Sequence, residues 1–303
     1  MIKDQKFGVS FSIKCQDEFN GKQQDCLKQA LSDLGVRRLR LMSYWDEHEK
    51  VQGVYDFSEL DWQIELAEKY NAEVTFCLGI KQPRWPESHI PKWAKDLNDA
   101  AIEQSLFAYI KVVMKRYKNR DCIVSWQLEN EARLKSFGGE GNFNRSRLQR
   151  EFMLVKSIDP VRPIIMSTSD SFGIPFRKPN ADIYGFSVYR YFYRRNQYKH
   201  AARPPLFYKL RAAIITSLRN RPCYIHELQC EPWGSSSNVT MPAKEQDKSI
   251  SLKRFAENIE YAKKTNLYPI DLWGLEYWWY RKNTMNDDSF WNYAKQNIFT
   301  KRT

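Results

Sequence analysis

Residues 123 to 132 read IVSWQLENEA, an apolar run that ends in Glu129, Asn130 and Glu131. Buried carboxylates without partners are costly, so such an ending calls for a solvated tip or a reaction site. A further carboxylate, Glu227, falls late in a second apolar run within PCYIHELQCEPWG, residues 222 to 234. Two carboxyl groups brought to one place can act as general acid/base and nucleophile on a glycosidic bond. That chemistry requires no cofactor.

Whether the two meet depends on the elements that carry them. Strand-like runs fall at 7–12, 37–42, 73–80, 123–128, 163–168, 182–188, 222–228 and 270–277. Helix-like stretches fall between them at 21–34, 58–70, 97–118, 143–157, 204–219 and 248–265, with apolar residues three and four apart, as in Leu60, Ile64 and Ala67. Ser58 is placed to cap the second of these. The connection 169–181 shows no helical pattern. Eight strands separated mainly by helices predict an α/β fold, a (β/α)8 TIM barrel spanning residues 1–303 as one domain. Chemistry in such a barrel sits at the C-terminal strand ends. Glu131 closes the fourth strand and Glu227 the seventh, so both point to the same rim. Glu129 and Glu231 are competing carboxylates there. Strict alternation puts Glu129 and Glu131 on one face, so a bulge or turn has to separate them.

Composition narrows the classes. Hydrophobic residues make up 42% and charged residues 28%, which provides a core and argues against global disorder. Aromatics reach 15%, with 10 Trp, more than a core needs. The net charge is +12, and residues 189–221 alone hold nine Lys or Arg and no acid. This strip reads as a solvated face or as a contact with an anionic surface. Six cysteines without a CxxC pair read as reduced, buried thiols, and four histidines without ligand spacing support no metal site. GxxxxGK[ST] and GxGxxG are absent, no nucleic-acid-binding module is recognisable, and no apolar run is long enough to span a bilayer. With no leader in the chain as given, the expectation is a cytoplasmic protein, or an extracytoplasmic one if a leader precedes it. Oligomeric state is not legible.

On these residues the chain resembles the retaining glycoside hydrolases of clan A. WQLENE is similar to the WQxxNE of β-galactosidase-type members, IHEL resembles the TEL of β-1,4-xylanase members, and WDEHEKVQGVYDFSELD resembles a segment after strand 2. The resemblance implies Glu131 as acid/base, Glu227 as nucleophile and an oligo- or polysaccharide substrate. It also implies Asn130 as the partner of the sugar 2-hydroxyl, and Arg40 and Tyr189 as holders of the nucleophile. Members often carry His-x-Tyr at the end of strand 6; here Ser187 stands in the His position. A tryptophan on strand 8 usually floors the sugar, for which Trp278 is favoured over Trp279. Trp45, Trp85, Trp93 and Trp233 follow strands 2, 3 and 7, where sugar platforms form. His226 is expected to be structural. From the basic strip, Arg190, Arg194 and Arg195 are expected near the sugar, favouring an anionic substrate, and Lys209, Arg211 and Arg219 on the outside, solvated or on an anionic surface. A barrel that binds carbohydrate without turning it over is the alternative class.

Overall fold

The computed structural model describes residues 6–132, 134, 144–169, 173–175, 179–201 and 203–299. Residue 143 of the expected fourth helix and residues 170–172 and 176–178 of the 169–181 connection lie outside them.

Eight parallel strands close into a barrel. In chain order they are β1 (Phe7–Phe11), β2 (Arg38–Met42), β3 (Glu73–Leu78), β4 (Ile123–Leu128), β5 (Ile164–Thr168) and β6 (Ile183–Val188). After a small hairpin, β7 (Tyr191–Arg194) and β8 (Gln197–His200), come β9 (Cys223–Gln229) and β10 (Ile270–Trp273). The barrel closes where Phe7 pairs with Ile270. This is the (β/α)8 architecture.

The helices lie where the apolar spacing put them: Ser58–Lys69, Asp99–Tyr117, Arg145–Ile158, Pro205–Arg219 and Leu252–Thr265. Three start on side-chain caps, with Asn98, Asn144 and Ser251 each accepting the backbone N–H three residues on. Ser58 is not a cap. Asp56 Oδ1 instead accepts the Ser58 N–H at 2.9 Å, so the aspartate two residues earlier satisfies the first turn. No helix follows β5 among the described residues. That connection is held from outside: Arg211 donates to the carbonyls of Ser169 (2.8 Å) and Gly173, and Arg219 to that of Pro175 (2.9 Å). Carbonyls without a helix to pair them need donors, and the guanidinium groups supply them. Arg211 is therefore buried rather than solvated, and Arg219 is bound to the chain's own backbone.

Two further expectations change. The eighth barrel strand stops at Trp273, and residues Leu275–Asn283 are helical. Gly274 makes the switch at φ +143°, and a Cβ there would lie 2.5 Å from the Cys230 backbone. The hairpin β7–β8 went unread in the sequence. It turns on Arg195 and Asn196, both at positive φ (53° and 58°), the requirement of a two-residue type I′ turn.

The barrel interior is polar. Arg38 Nε donates to Asp271 (2.8 Å), the His226 ring lies between Asp271 (2.8 Å) and Gln127 (2.5 Å), and Arg40 Nε donates to Gln127 (2.8 Å). Burial alone would raise the pKa of Asp271, but Arg38 and His226 hold it down to about 2. Gly185 makes room for this chain of contacts, since a Cβ there would meet the His226 Cβ at 2.4 Å. Apolar side chains fill the layer between strands and helices.

Candidate active site

Glu129 and Glu131 leave β4 in opposite roles because both take left-handed backbone conformations, at φ +46° and +43°. That breaks strand alternation and answers which carboxylate faces the cleft. Glu129 turns back onto the loop after β3, where its two oxygens accept the backbone N–H groups of Ile80 (3.1 Å) and Lys81 (2.6 Å). Gly79 permits the approach, for a Cβ there would lie 2.8 Å from the Glu129 carboxyl carbon. Glu129 is thus bound by backbone. Glu131 is only half-buried by surface, its N–H donating to Ser167 Oγ at 2.8 Å. Its carboxyl is pushed up to about 8, first by desolvation and then by the charge of Glu227. The buried Ser187 hydroxyl next to it acts the other way.

Glu227 projects from β9 beside Ser187 of β6, its register partner. Arg40 Nη1 donates to its Oε2 at 2.6 Å and the Tyr189 hydroxyl donates to its Oε1 at 2.6 Å. Arg40 Nη2 donates to Asn130 Oδ1 at 2.9 Å, so one guanidinium from β2 ties together residues from β4 and β9. Asn130 Oδ1 also accepts from Ser167 Oγ (3.0 Å). The structure therefore gathers Arg40, Asn130, Glu131, Tyr189 and Glu227 at one rim. Charge-assisted bonds of this kind fix position.

The tryptophans divide differently from the sequence reading. Trp45 has no exposed surface; it stacks on Tyr109, meets Trp93 edge-on at 5.8 Å and donates to Glu49 at 2.6 Å. Glu49 also accepts from Gly53 N at 2.8 Å, so this part of the WDEHEKVQG segment clasps its own turn. Trp278 is likewise fully buried, packed on Phe255 and donating to the Cys230 carbonyl at 2.9 Å. Neither ring has a face free for a sugar, so both are corrected to core residues. Trp279 is buried too. Trp233 keeps partial exposure and stands edge-on to Tyr189 at 5.3 Å. Trp85 is 70% exposed.

Several neighbours escaped the sequence reading. Trp273, the last residue of β10, donates to Glu231 at 2.8 Å and carries Arg84 4.4 Å from its ring centroid. Arg84 also bonds Glu231 at 2.8 Å, which occupies that competing carboxylate. Glu87 accepts from Asn130 Nδ2 at 2.9 Å, and burial followed by the charge of Glu227 raises it to about 7. The signal for Trp273 was its place at a strand end; Arg84 and Glu87 carried none, lying in an irregular loop. From the basic strip, Arg190 donates to Asn258 at 3.0 Å and lies 4.5 Å from the Tyr261 ring centroid, which removes it from the sugar contacts expected of it. Arg194 and Arg195 are exposed on the hairpin. Among the described residues no cluster of three or more His, Cys, Asp or Glu could hold a metal ion, and no helix is long and apolar enough to cross a membrane.

The family model for Glycosyl hydrolase family 10 matches residues 9–151, a span that includes Glu131 and stops short of Glu227. A curated relative, the β-galactosidase BgaA of Clostridium cellulovorans, is 24% identical over 121 residues, covering 34% of this chain and 18% of its own length. The chain thus spans about a fifth of that relative. Among solved structures, an endo-β-1,4-xylanase of glycoside hydrolase family 10 from Gloeophyllum trabeum superposes with a TM-score of 0.62 at 12% identity, over 89% of this chain and 84% of that one. GH5_18 from Streptomyces cattleya gives 0.61 at 12% identity, over 88% and 69%. The likeness is to clan A glycoside hydrolases. At these identities the clan A structures share the fold with this chain, and its motifs carry the rest of the resemblance.

Proposed function

We propose that the protein is a retaining glycoside hydrolase in which Glu227 is the nucleophile and Glu131 the acid/base. The observation that carries this reading is the unequal treatment of two carboxyls at one rim. Glu227 receives a guanidinium and a phenol, one on each carboxyl oxygen, which hold it in place at the rim. Glu131 is desolvated beside the charge of Glu227 and stays protonated at neutral pH. In the first step a Glu227 oxygen attacks the anomeric carbon while Glu131 gives its proton to the leaving oxygen. Glu227 then carries no charge, so the Glu131 carboxylate left by that transfer no longer faces a like charge and can act as a base. It takes a proton from water, which attacks the anomeric carbon and releases Glu227 with the starting stereochemistry. Asn130, fixed by Arg40 and Ser167, donates through Nδ2 to the 2-hydroxyl, and Trp233 supplies an aromatic wall. The substrate class is an oligo- or polysaccharide.

The deciding experiment combines an activated 2-deoxy-2-fluoro glycoside with peptide mapping. A stable glycosyl label on the peptide containing Glu227, and a first-formed product of unchanged anomeric configuration by proton NMR, are expected. An inverted product, or a label elsewhere, would sink the assignment.

A second reading concerns the outside of the barrel. Leu206, Leu210, Ile214 and Leu218 lie four apart on the helix Pro205–Arg219 and are each 43–57% exposed. That helix contains no acidic residue, and Lys209 is exposed beside the ridge. With four partly exposed side chains, the ridge falls short of the ~800 Å² per partner of a standard protein interface. Shallow insertion into an anionic lipid surface fits both its size and its charge. Flotation with phosphatidylglycerol-containing vesicles, lost in a Leu210→Glu/Ile214→Glu variant, is the expected result; no flotation of the parent overturns it.

A further inference from the structure

The loop after β3 carries a carboxylate that the proposed mechanism does not use. Glu87 is only 7% exposed. The backbone bends sharply to put it there, with Arg84 at φ +97° and Glu87 at φ +69°, a region that side chains other than glycine rarely enter. The bend is closed by Glu87 N–H donating to the Arg84 carbonyl (2.8 Å), by Gln82 N–H donating to the Glu87 carbonyl (2.9 Å), and by a bridge between Lys81 and Ser88. A strained loop that buries a carboxylate is expensive twice over, which points to a use for the group.

The hydrogen bond to its side chain among the described residues shows where that use lies. Asn130 Nδ2 donates to Glu87 Oε2 at 2.9 Å, while Asn130 Oδ1 is taken by Arg40 Nη2 (2.9 Å) and Ser167 Oγ (3.0 Å). The amide therefore cannot flip, and its second Nδ2 proton is left for a ligand. Among the described residues Glu87 Oε1 has no donor. The charged groups around Glu87 are Glu227, which opposes its ionisation, and Lys81 and Arg40, which favour it.

We propose that Glu87 is a specificity-determining carboxylate, which locks the Asn130 amide and through Oε1 accepts a hydrogen bond from the glycone hydroxyl next to the anomeric carbon. The substrate class is then a glycoside with a free 2-hydroxyl rather than a 2-acetamido or 2-deoxy sugar. This inference rests on the glycosidase reading.

The test is Glu87→Gln, assayed on an aryl glycoside and on its 2-deoxy counterpart. Loss of a hydrogen bond to a charged acceptor predicts a fall in kcat/KM of about 10- to 100-fold on the 2-hydroxy substrate. The fall on the 2-deoxy substrate should be at least about tenfold smaller, because the partner hydroxyl is already gone. Equal losses on both substrates overturn the proposal. A second readout needs no turnover: in a carbon-13 NMR titration Glu131 should titrate at lower pH in Glu87→Gln, one nearby negative charge having been removed, and an unmoved Glu131 also overturns it. Calorimetry with glucose, galactose, mannose and xylose separates the two layers. A parent that turns over no glycoside yet binds one of these sugars more tightly than Glu87→Gln keeps the Glu87 assignment and sinks the hydrolase. A parent that binds none of them overturns both.

Discussion

Arg40 Nη1 lies 2.6 Å from Glu227 Oε2, inside the barrel, with the Arg40 side chain fully buried. The same guanidinium reaches Asn130 with its other terminal nitrogen. One planar fork from β2 thereby sets the separation between the ends of β4 and β9, a job that a lysine ammonium cannot do.

Removing that fork should be costly. Arg40→Met leaves a buried carboxylate unpaired, and the expected loss is about 3–5 kcal/mol of folding stability with turnover essentially abolished. Arg40→Lys should retain more stability than activity. Chemical denaturation alongside kcat measurement checks both, and a Met variant that unfolds like the parent would mean that the Arg40–Glu227 pair adds nothing to folding stability.

The pH dependence follows from Glu131. As the proposed acid, it must be protonated, and its carboxyl is raised to about 8. The kcat/KM profile should therefore fall on the alkaline side near that value. Glu131→Ala should lose this limb, recover part of its activity with azide, and keep activity best on substrates with good leaving groups.

The same shift makes a stability prediction. The folded-state value lies above the ordinary carboxylate value of 4.5. Below the ordinary value both states hold the proton and nothing changes. As pH rises from there to about 8, the unfolded chain releases the proton and the folded chain keeps it, so folding is increasingly disfavoured. Glu131→Gln should thus raise Tm relative to the parent, by little at pH 5 and by most at pH 8 to 9. A constant Tm difference across that range would contradict the shift.

Glu129 should behave in the opposite way. Glu129→Ala strands the N–H groups of Ile80 and Lys81, for an expected loss of about 1–3 kcal/mol per buried unsatisfied group. Activity per folded molecule should survive far better than in Glu131→Ala. Thermal melts and active-site titration separate the two carboxylates.

Trp233→Ala and Trp278→Ala form a matched pair. The first should raise KM with modest loss of stability, since Trp233 is partly exposed and stands edge-on to Tyr189. The second should cost about 3–5 kcal/mol as a core deletion, with KM unchanged in the folded fraction. Reversed effects would return the sugar floor to Trp278.

Local patterns in the chain carried the strand and helix order, because apolar spacing is read within a few residues, whereas the one cap expected from the sequence, Ser58, is not one. Asn98, Asn144 and Ser251 start helices by contacts three residues away. Glu131 and Glu227 were legible for the same reason, each ending an apolar run, and barrel closure needed only the count of those runs. The split between Glu129 and Glu131 was not legible. It depends on two left-handed residues and on Gly79 in the loop after β3, 50 positions earlier in the chain. Trp45 and Trp278 could not be sorted from Trp233, since a ring's exposure is set by what packs on both its faces. Arg211 and Arg219 looked like surface charge until the backbone after β5 came to them for donors. Glu87 showed nothing in its own surroundings along the chain. Glu87, its partner Asn130 and its charged neighbour Glu227 come from the loop after β3, the end of β4 and β9, and only closing the barrel brings long-range electrostatics and hydrogen-bond geometry to bear on it.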